Sequence, residues 1–401
     1  MGASKGGTPR IRYYGRPHPI LESMATNPPE GFSYVSNLNQ AVYTGYTGPP
    51  VYQQSSRIMA RAANTFFKLV RAPRTIPMMT DCDLVHMDGC VLPLTSKPWV
   101  VGSIEYAGAF FAFDDAWYER RASRRMLARA LGGPRCKKVM TLSEAALESL
   151  SLSLGEEFAP IKGKTSVLYP AVPTERVEAG RASKKEDGTI RILFVGNHFF
   201  DKGGRELFFA YQRLRRRYDL ELMLVTSAPP HHREYFEAFK KKLTSEPGVS
   251  VHTAVPKEAL LKDFFLKSHI FCFPSYMETF GYVVLEAMAS NLAVVTSDEY
   301  ALPEMIRNGE NGLLVHAPYA SFRRGALRSP SSLEEYRRAV LEEKNFSSVV
   351  DELETSLSKL IEDGTLRRRL ASAALQETTE GRFSVLQRNK QLAEIYREAL
   401  G

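Results

Sequence analysis

The chain has 401 residues, of which 44% are hydrophobic and 24% charged. This composition is typical of a soluble globular protein and excludes collagen-like and disordered chains, and the length predicts two domains of roughly 200 residues each. Lysine and arginine outnumber aspartate and glutamate by 53 to 45. The resulting net charge of +8 favours an anionic partner, whether a phosphorylated ligand, a membrane surface or nucleic acid.

The four cysteines are scattered and form no C-x-x-C pair: Cys82, Cys90, Cys136 and Cys272. This spacing predicts reduced thiols in a reducing compartment and no zinc site. No apolar run approaches the ~18 residues of a spanning helix, and the start "MGASKGGTPRIRYYG" lacks the apolar core of a secretion signal. We therefore expect a cytoplasmic protein, with peripheral contact at the inner face of a membrane left open.

Residues 1–175 alternate short apolar runs with amphipathic stretches. Strands are predicted at "CDLVHMDGCVL", "KPWVVGSIEYAG", "KKVMTL" and "TSVLYPAV", with a helix capped by Ser143 after the third. Residues 117–138, "WYERRASRRMLARALGGPRCKK", predict a basic amphipathic helix. Such a helix could lie on anionic lipid, although a solvated face is the more ordinary interpretation. Strands interleaved with helices predict a parallel sheet covered on both faces.

Residues 176–189 are polar and without periodic hydrophobic positions, and they are interpreted as a linker. From residue 190 the alternation restarts, with strands at "IRILFV", "LELMLVTS", "VSVHTAV", "HIFCFPS" and "LAVVTS". We expect a second doubly wound domain over 190–385, an insertion with some helix at 318–345, and a final helix over 386–401. Ligands of such sheets bind outside the carboxyl ends of the strands, so the cleft between the two domains is the predicted site.

The stretch "RILFVGNHFFDKGGRELFFAY" ends a strand at Gly196 and opens a helix at Lys202-Gly203-Gly204. A helix N-terminus offers unpaired N–H groups, the glycines allow an anion to approach closely, and Lys202 adds a full charge, so a diphosphate fits this turn. The stretch matches neither G-x-G-x-x-G nor G-x-x-x-x-G-K-[ST], which argues against an NAD site and a P-loop. An ordinary βα turn with a solvated lysine is the alternative.

The stretch "PSYMETFGYVVLEAMASNLAVV", residues 274–295, places Glu278 in a loop and Glu286 in the second turn of the following helix. If residues 278–286 were all helical, the two carboxylates would lie ~12 Å apart along the axis, which suits an elongated ligand. A phosphate could bind the helix N-terminus near Phe280 and Gly281, with a carboxylate at each end to accept hydrogen bonds from sugar hydroxyls. The alternatives are a solvated loop acid and an early-helix acid, although an unpaired acid buried in "VVLEAMA" would be costly.

These segments resemble the donor-binding half of family 4 of the retaining glycosyltransferases, which has the GT-B fold. The family's E-x7-E pair falls on Glu278 and Glu286, and "PEMIRNGENGLLV" resembles its P-E-x-I-x-x-G-x-N-G-x-L-V segment. "VMTLSEAALESL" and "VLYPAV" resemble its closing first-domain segments, and "FSVLQRNKQLAEIYREAL" resembles its C-terminal helix. The resemblance is strong over residues 190–316, fair over 136–172 and at the C-terminus, and weak before that.

The resemblance implies two Rossmann-like α/β domains, each a doubly wound parallel sheet, facing a cleft, with the C-terminal helix crossing back to the first domain. It implies transfer of a hexose from a nucleotide diphosphate sugar, with retention of configuration and without a metal or other cofactor. By position, Glu286 binds ribose, Lys202 the diphosphate and Glu278 the donor sugar. The other donor-binding positions it implies are Gly196, Asn197, Gly203, Ser275, Thr279, Phe280 and Gly281.

Two departures from the family pattern affect the chemistry. The family usually has a basic residue where Asn197 stands, so one charge on the leaving diphosphate is missing unless Arg205 or another basic residue supplies it. The family's acceptor-side histidine has no clear counterpart. His86 and Glu105 lie near strand ends and could orient a donor or acceptor hydroxyl, although ordinary loop residues are an equally good interpretation. The catalytic candidates are Glu278, Lys202 and Glu105.

We therefore predict a retaining glycosyltransferase acting on a hydroxyl acceptor, which is a glycan, a lipid-linked molecule or a small molecule. Two alternatives share the fold. A catalytically silent nucleotide-sugar-binding subunit is favoured by Asn197 and by the missing histidine, and a nucleotide-sugar epimerase would release the sugar without an acceptor. The basic stretches lack the stacking aromatic residues of single-strand binders and contain no DNA-reading motif, so we do not expect nucleic acid as a partner.

Overall fold

The computed structural model describes residues 7–15, 19–36, 65–67, 69–78, 81–111, 117–180, 188–229, 232–318, 322–323, 326–327 and 346–401. Within these ranges the chain forms two six-stranded sheets, each with helices packed against it, and the strand pairings within both sheets are parallel. Most of the insertion predicted at 318–345 lies outside the described residues, apart from residue 318 and the short antiparallel strands Phe322–Arg323 and Ala326–Leu327.

The first domain contains the first sheet, whose strand order is β2-β1-β4-β6-β7-β8. Its elements are β1 (Arg10–Tyr14), α1 (Pro19–Thr26), β2 (Ser33–Ser36), β3 (Thr75–Pro77), β4 (Leu84–Asp88), β5 (Leu92–Leu94), β6 (Trp99–Ile104), α2 (Arg121–Gly132), β7 (Cys136–Thr141), α3 (Glu144–Leu154) and β8 (Thr165–Val167). The predicted cap of α3 is confirmed, because the Ser143 hydroxyl accepts a hydrogen bond from the N–H of Ala146 at 3.0 Å.

The second domain contains the second sheet, whose strand order is β11-β10-β9-β12-β13-β14. After α4 (Thr174–Gly180) its elements are β9 (Ile190–Asn197), α5 (Gly204–Leu214), β10 (Leu220–Ser227), α6 (Arg233–Ser245), β11 (Val249–His252), α7 (Lys257–Ala259, continued by a π-helix Leu260–Phe265), β12 (Ile270–Phe273), α8 (Tyr282–Ala289), β13 (Ala293–Ser297), α9 (Leu302–Met305), β14 (Leu313–Val315), β15 (Phe322–Arg323), β16 (Ala326–Leu327), α10 (Ser347–Glu362) and α11 (Gly364–Thr379). Strands β12 and β13 are buried along their whole length, as expected for strands covered on both faces.

The segment interpreted as a linker at 176–189 begins with a packed helix. Helix α4 (Thr174–Gly180) buries Val177 in the core of the second domain and also buries Arg176, whose side chain is 6% exposed. The polar composition of this stretch does not predict the helix, because the helix packs against the domain through one apolar residue and one buried ion pair. Residues 181–187 lie outside the described residues.

The C-terminal helix α12 (Val385–Leu400) crosses back onto the first domain, as expected. Its residues Leu392, Ile395 and Tyr396 share an apolar core with Ile11 and Leu84 of the first sheet. This helix therefore ties the end of the chain to the first domain by hydrophobic burial. None of the helices in the described ranges is both long and apolar enough to cross a lipid bilayer.

Direct hydrogen bonds join the two domains at the cleft. The Glu304 carboxylate accepts from the N–H groups of Glu144 and Ala145 at 2.9 and 2.8 Å and from the Tyr169 hydroxyl at 2.7 Å. An acid at the N-terminus of α3 is stabilised by the helix dipole. The second domain is thus held against the first where the carboxyl ends of both sheets face each other.

Candidate functional site

A cavity of about 370 Å³ opens between the two domains at the carboxyl ends of their strands. This volume falls within the range of ~300–1,000 Å³ that is usual for small-molecule sites. Of the predicted site residues, those that line the cavity are Glu105 from the first domain and Gly196, Asn197, Lys202, Glu278, Thr279, Phe280 and Gly281 from the second. Their convergence makes this cavity the candidate donor site.

The two turns predicted to converge on one ligand do meet. Gly203 has a φ of +74°, and a Cβ at this position would lie 2.2 Å from the carbonyl oxygen of Pro274, so the close approach requires glycine. The N–H of Tyr276 donates to the carbonyl oxygen of Asp201 at 2.9 Å. The loop after β9 and the loop after β12 are therefore packed backbone to backbone at the edge of the cavity.

Lys202 and Glu278 form an ion pair across these two turns. The Lys202 Nζ lies 2.8 Å from Glu278 Oε2, and it also donates to the carbonyl oxygen of Met277. The two side chains are 18% and 15% exposed, so the pair is only partly screened by water. At the mouth of a cleft, such a pair can separate when a ligand binds. The cation then binds the negative charge of the ligand, and the carboxylate binds its hydroxyl groups.

The other carboxylate oxygen of Glu278 binds the backbone at the start of α8. Its Oε1 accepts from the N–H groups of Thr279 at 2.9 Å and Phe280 at 3.3 Å. Burial acts to raise the pKa of Glu278, but the charge and hydrogen bond of Lys202 and the two N–H groups outweigh it and hold the pKa below its usual value. Helix α8 begins at Tyr282, and its N-cap Gly281 offers no side-chain cap; the two N–H groups just before it form an anion site that the Glu278 carboxylate fills.

Glu105 of the first domain faces this group from the opposite wall. Its Oε2 accepts a hydrogen bond of 2.9 Å from the Thr279 hydroxyl, and its backbone carbonyl accepts one of 3.0 Å from Tyr300. Burial raises the pKa of Glu105 and outweighs the hydrogen bond from Thr279, which lowers it; the charge of Glu278 raises the pKa further and that of Lys202 lowers it. The cavity therefore contains two carboxyl groups whose pKa values are shifted in opposite directions.

Glu286, expected to bind ribose, is not among the residues that line the cavity. Its Oε1 lies 2.9 Å from Nη1 of Arg176, with side chains that are 3% and 6% exposed, and the guanidinium stacks 4.4 Å from the centre of the Phe265 ring. The acid inside "VVLEAMA" is thus compensated by a buried arginine of α4. Ribose binding by Glu286 remains a prediction that requires this ion pair to open.

Ser275 has a structural position rather than a place on the cavity wall. It is fully buried, its hydroxyl donates to the carbonyl oxygen of Met277 at 3.1 Å, and its own carbonyl accepts from Ser297 at 2.5 Å. Gly203 likewise shapes the turn without lining the cavity. Both residues set the path of the loops that carry Lys202 and Glu278.

His86 does not reach the acceptor side of the cleft. It is fully buried under α12, where Nδ1 lies 2.5 Å from the Tyr396 hydroxyl and Nε2 lies 3.4 Å from Oδ1 of Asp88. Tyr13 donates to the other oxygen of Asp88. The expectation failed because His86 lies within β4 rather than after it, so the C-terminal helix covers its side chain.

Arg205 does not supply the charge that is absent at Asn197. Its Nε donates to Oε1 of Glu206 at 2.8 Å, and its guanidinium lies 4.8 Å from the centre of the Phe346 ring, between α5 and the start of α10. Two cavity residues in the quoted loop were overlooked, His198 and Asp201. Their position between Gly196 and Lys202 could have indicated them, because side chains at the end of a strand reach the cleft.

Comparison with known proteins gives the same family. Over 278 residues the chain is 30% identical to an uncharacterized glycosyltransferase of Haemophilus influenzae, covering 66% of this chain and 73% of that protein. The family model "Glycosyl transferases group 1" matches residues 176–339. The chain belongs to the group 1 glycosyltransferases. It is also 36% identical over 206 residues to the MMP alpha-(1->4)-mannosyltransferase of Mycolicibacterium hassiacum, covering 50% of this chain and 45% of that protein.

Solved structures confirm the fold of this group 1 glycosyltransferase. The crystal structure of Anabaena Alr3699/HepE in complex with UDP and glucose superposes with a TM-score of 0.58 at 15% identity, covering 97% of this chain and 99% of that one. The predicted architecture of two Rossmann-like domains in the GT-B arrangement is therefore correct. At this level of identity the likeness extends to the fold alone.

Proposed function

We propose that the protein is a retaining hexosyltransferase that uses a nucleotide diphosphate sugar as donor, a hydroxyl group as acceptor and no bound metal. The observation that carries the proposal is the Lys202–Glu278 pair over the uncapped N-terminus of α8, inside the cavity between the domains. Such a set of donors fits a diphosphate, and a neighbouring carboxylate fits sugar hydroxyls.

Donor binding exchanges the partners of Glu278. The diphosphate takes the N–H groups of Thr279 and Phe280 together with the Lys202 ammonium, all of which now contact the Glu278 carboxylate. The released carboxylate accepts hydrogen bonds from hydroxyls of the transferred hexose. As the glycosidic bond breaks, Lys202 and the helix N-terminus stabilise the negative charge that develops on the diphosphate.

Glu105 completes the site from the first domain. Its carboxyl group, whose pKa is raised, can hydrogen-bond to a hydroxyl of the hexose or orient the acceptor hydroxyl, while Thr279 contacts its Oε2. This role agrees with its position on the wall opposite Lys202. Glu105 is thus proposed as the acceptor-side residue, in the place expected for the family's histidine.

The donor that we propose is of a kind bound by a protein of the same fold, and the name of one relative agrees with the stereochemistry that we propose. HepE has been crystallised in complex with UDP-glucose, a nucleotide sugar. The mannosyltransferase relative forms an α-(1→4) link according to its name, and an α product is what retention gives from an α-linked donor sugar. Retention of configuration is therefore the stereochemical outcome we propose.

Membrane contact through residues 117–138 is not part of the proposal. Arg121 and Arg125 of α2 lie 3.8 and 3.0 Å from the carboxylate of Glu157, which neutralises part of the basic face. A solvated helix face accounts for these residues. The acceptor is accordingly proposed on its hydroxyl chemistry, whether it belongs to a glycan, a lipid-linked molecule or a small molecule.

The experiment is a thermal-shift screen with UDP-, GDP- and ADP-sugars, followed by turnover of the stabilising sugar with a panel of hydroxyl acceptors, with and without EDTA. We expect one nucleotide series to stabilise the protein and the α-linked product to form equally in EDTA. Binding without transfer or hydrolysis would identify a silent subunit instead, and release of sugar without any acceptor, abolished in Glu278→Ala, would identify an epimerase. Loss of activity in EDTA that returns with added metal would contradict the metal-independent step.

A further inference from the structure

The acids among the described residues that line the donor cavity outnumber its lysines and arginines. The described residues that line it include three acids: Glu105, Asp201 and Glu278. Lys202 is the single lysine or arginine among those residues, since Asn197 replaces the expected basic residue and Arg205 is turned toward Glu206. A second cation beside Lys202 would strengthen the binding of an anionic donor here.

His198 can supply this second cation. Of the described residues lining the cavity, His198 and Lys202 are the two whose side chains can carry a positive charge. The backbone at His198 has a φ of +65°, a conformation that residues with a Cβ rarely adopt. Two hydrogen bonds of 3.1 Å hold it: the N–H of Lys202 donates to the carbonyl of His198, and the N–H of Phe199 donates to the carbonyl of Ser227. These bonds fix the backbone from which the imidazole projects into the cavity.

A buried carboxylate supports the imidazole from behind. Nδ1 of His198 lies 3.4 Å from Oδ2 of Asp201, whose side chain is 5% exposed, whereas the imidazole is 47% exposed. Burial acts to raise the pKa of Asp201, but the hydrogen bond and charge of His198, with smaller contributions of His232 and Lys202, lower it below its usual value. Asp201 thus places a carboxylate behind the ring, on the side of Nδ1. Nε2 of His198, on the far side of the ring from Nδ1, has no partner among the described residues.

We propose that His198, oriented by Asp201, binds the donor diphosphate as an imidazolium in place of the basic residue absent at Asn197. Nε2–H donates to a phosphate oxygen, and the proton stays on the imidazole throughout. When the bond between the hexose and the diphosphate breaks, its electron pair moves to the diphosphate oxygen, and the imidazolium stabilises that charge together with Lys202. The inference rests on the proposed function.

This role makes donor affinity depend on pH. Imidazole is the side chain whose charge ordinarily changes between pH 5 and 8, whereas the diphosphate of a nucleotide sugar has no proton to titrate in that range. The ionisable groups that face or influence the His198–Asp201 pair are Lys202 and His232, beside Glu278 across the cavity. Affinity for the nucleotide sugar should therefore fall as the pH rises from 6 to 8.

The test is isothermal titration of the stabilising nucleotide sugar at pH 6 and pH 8 into four proteins: wild type, His198→Gln, the double variant Asn197→Arg/His198→Gln, and His316→Gln. His316 is a matched control, because its Nδ1 lies 2.8 Å from Asp298 in another histidine–aspartate pair of the same domain. At pH 6 we expect H198Q to weaken binding roughly tenfold, the size expected for one charge-assisted hydrogen bond, and to abolish the pH dependence. H316Q should match wild type.

The double variant separates a charge from a scaffold role. Arginine at position 197 restores the family's cation, so it should recover tight binding at both pH values. Binding by H198Q that equals wild type at pH 6, or a loss that the arginine does not rescue although the variant melts like wild type, would overturn the inference alone. If no nucleotide sugar binds the folded wild-type protein, the proposed function fails and the inference fails with it.

Discussion

Glu278 and Glu286 belong to one E-x7-E pattern, yet the structure places them in two different environments. Glu278 precedes α8, lines the cavity and pairs with Lys202, with side chains that are 15% and 18% exposed. Glu286 lies in the second turn of α8 and pairs with Arg176 in the protein interior, with side chains that are 3% and 6% exposed. A ligand in the cavity can therefore reach Glu278 and replace its partner. Glu286, in contrast, is enclosed in a buried ion pair, which we call the sealed pair.

The difference teaches that a carboxylate's role depends on the cation that faces it. Lys202 reaches Glu278 along a flexible side chain at the mouth of a cleft, so a ligand can replace either partner. Arg176 is fixed by α4 and stacked on Phe265, so opening its pair with Glu286 would leave a buried charge without compensation. Gly281, which has a φ of +89°, lies between the loop that carries Glu278 at the cavity and the helix that carries the buried Glu286.

The largest expected effect is the loss of stability on breaking the buried ion pair between Arg176 and Glu286. Arg176→Met should destabilise the protein by about 3–5 kcal/mol, because it leaves the Glu286 carboxylate buried without its partner. The measurement is the free energy of unfolding in urea. The matched control is Arg191→Met, which removes an arginine at the same 2.9 Å from a carboxylate, that of Glu221, but with side chains 21% and 47% exposed. A surface pair of this kind contributes only about 0–1 kcal/mol.

The same variant tests the ribose role of Glu286. If Glu286 binds ribose, Arg176 must give up the carboxylate first, so Arg176→Met should bind the nucleotide sugar at least as tightly as wild type below its melting temperature. Weaker binding by the folded variant would show instead that Arg176 contributes to the donor site. If Arg176→Met and Arg191→Met lost equal unfolding free energy, the buried pair of Arg176 would contribute no more to stability than the exposed pair of Arg191, contrary to this prediction.

The next largest effect concerns the open pair. Lys202→Met should lower the rate of transfer about 10²–10³-fold, the loss typical of removing one preorganised donor to a developing charge. Unfolding free energy should change little, since the pair is partly solvated. The control is Lys267→Met, which removes another lysine 2.7 Å from a carboxylate, Asp263, on an exposed helix turn. Retention of full transfer activity by Lys202→Met would contradict the assignment of the cavity.

The fold was largely predictable from the sequence because its strands are continuous apolar runs followed by amphipathic helices. Strands β9 to β13 of the second sheet and the helix after Lys202 lie close to where the pattern placed them. Strand β1, "RIRYY", and helix α1 were not predicted, since arginines interrupt the apolar run and the packing of Tyr13 depends on distant residues such as His86. Helix α6 was missed as well.

The donor site was predictable where chemistry follows local rules, and not where it depends on tertiary contacts. Glycines at a strand end and a lysine before a helix are typical of a phosphate site in an α/β sheet, and Lys202 does line the cavity. The partner of Glu286 is 110 positions earlier in the chain, and no local pattern indicates Arg176. The same holds for His86, which the C-terminal helix covers through Tyr396, 310 positions away.

A moderate effect is expected beneath the C-terminal helix. Tyr396→Phe removes a hydroxyl that lies 2.5 Å from the buried His86 and 2.9 Å from the half-buried Tyr34. Leaving such groups without a partner should cost about 1–3 kcal/mol of unfolding free energy. Donor affinity should stay at the wild-type value, because none of these residues lines the cavity. A change in donor affinity at unchanged stability would place this cluster in the donor site after all.

The smallest expected effect is a difference in pH dependence between the two carboxyl groups that share the cavity. Glu278 has a pKa lowered from 4.5, so its ionised form stabilises the fold above that pH and the contribution is lost as the pH falls through 4.5 and below. Glu105 has a pKa raised from 4.5, so its burial costs stability as the pH rises through 4.5 and above. Unfolding free energies of Glu278→Gln and Glu105→Gln, each relative to wild type between pH 3 and pH 7, should therefore diverge with opposite signs. With rising pH the glutamine should become less favourable at 278 and more favourable at 105. If both differences in unfolding free energy changed with pH in the same direction, the pKa values of the two acids would be shifted alike. Lys202 would then not have the separate influence on Glu278 that we assign to it.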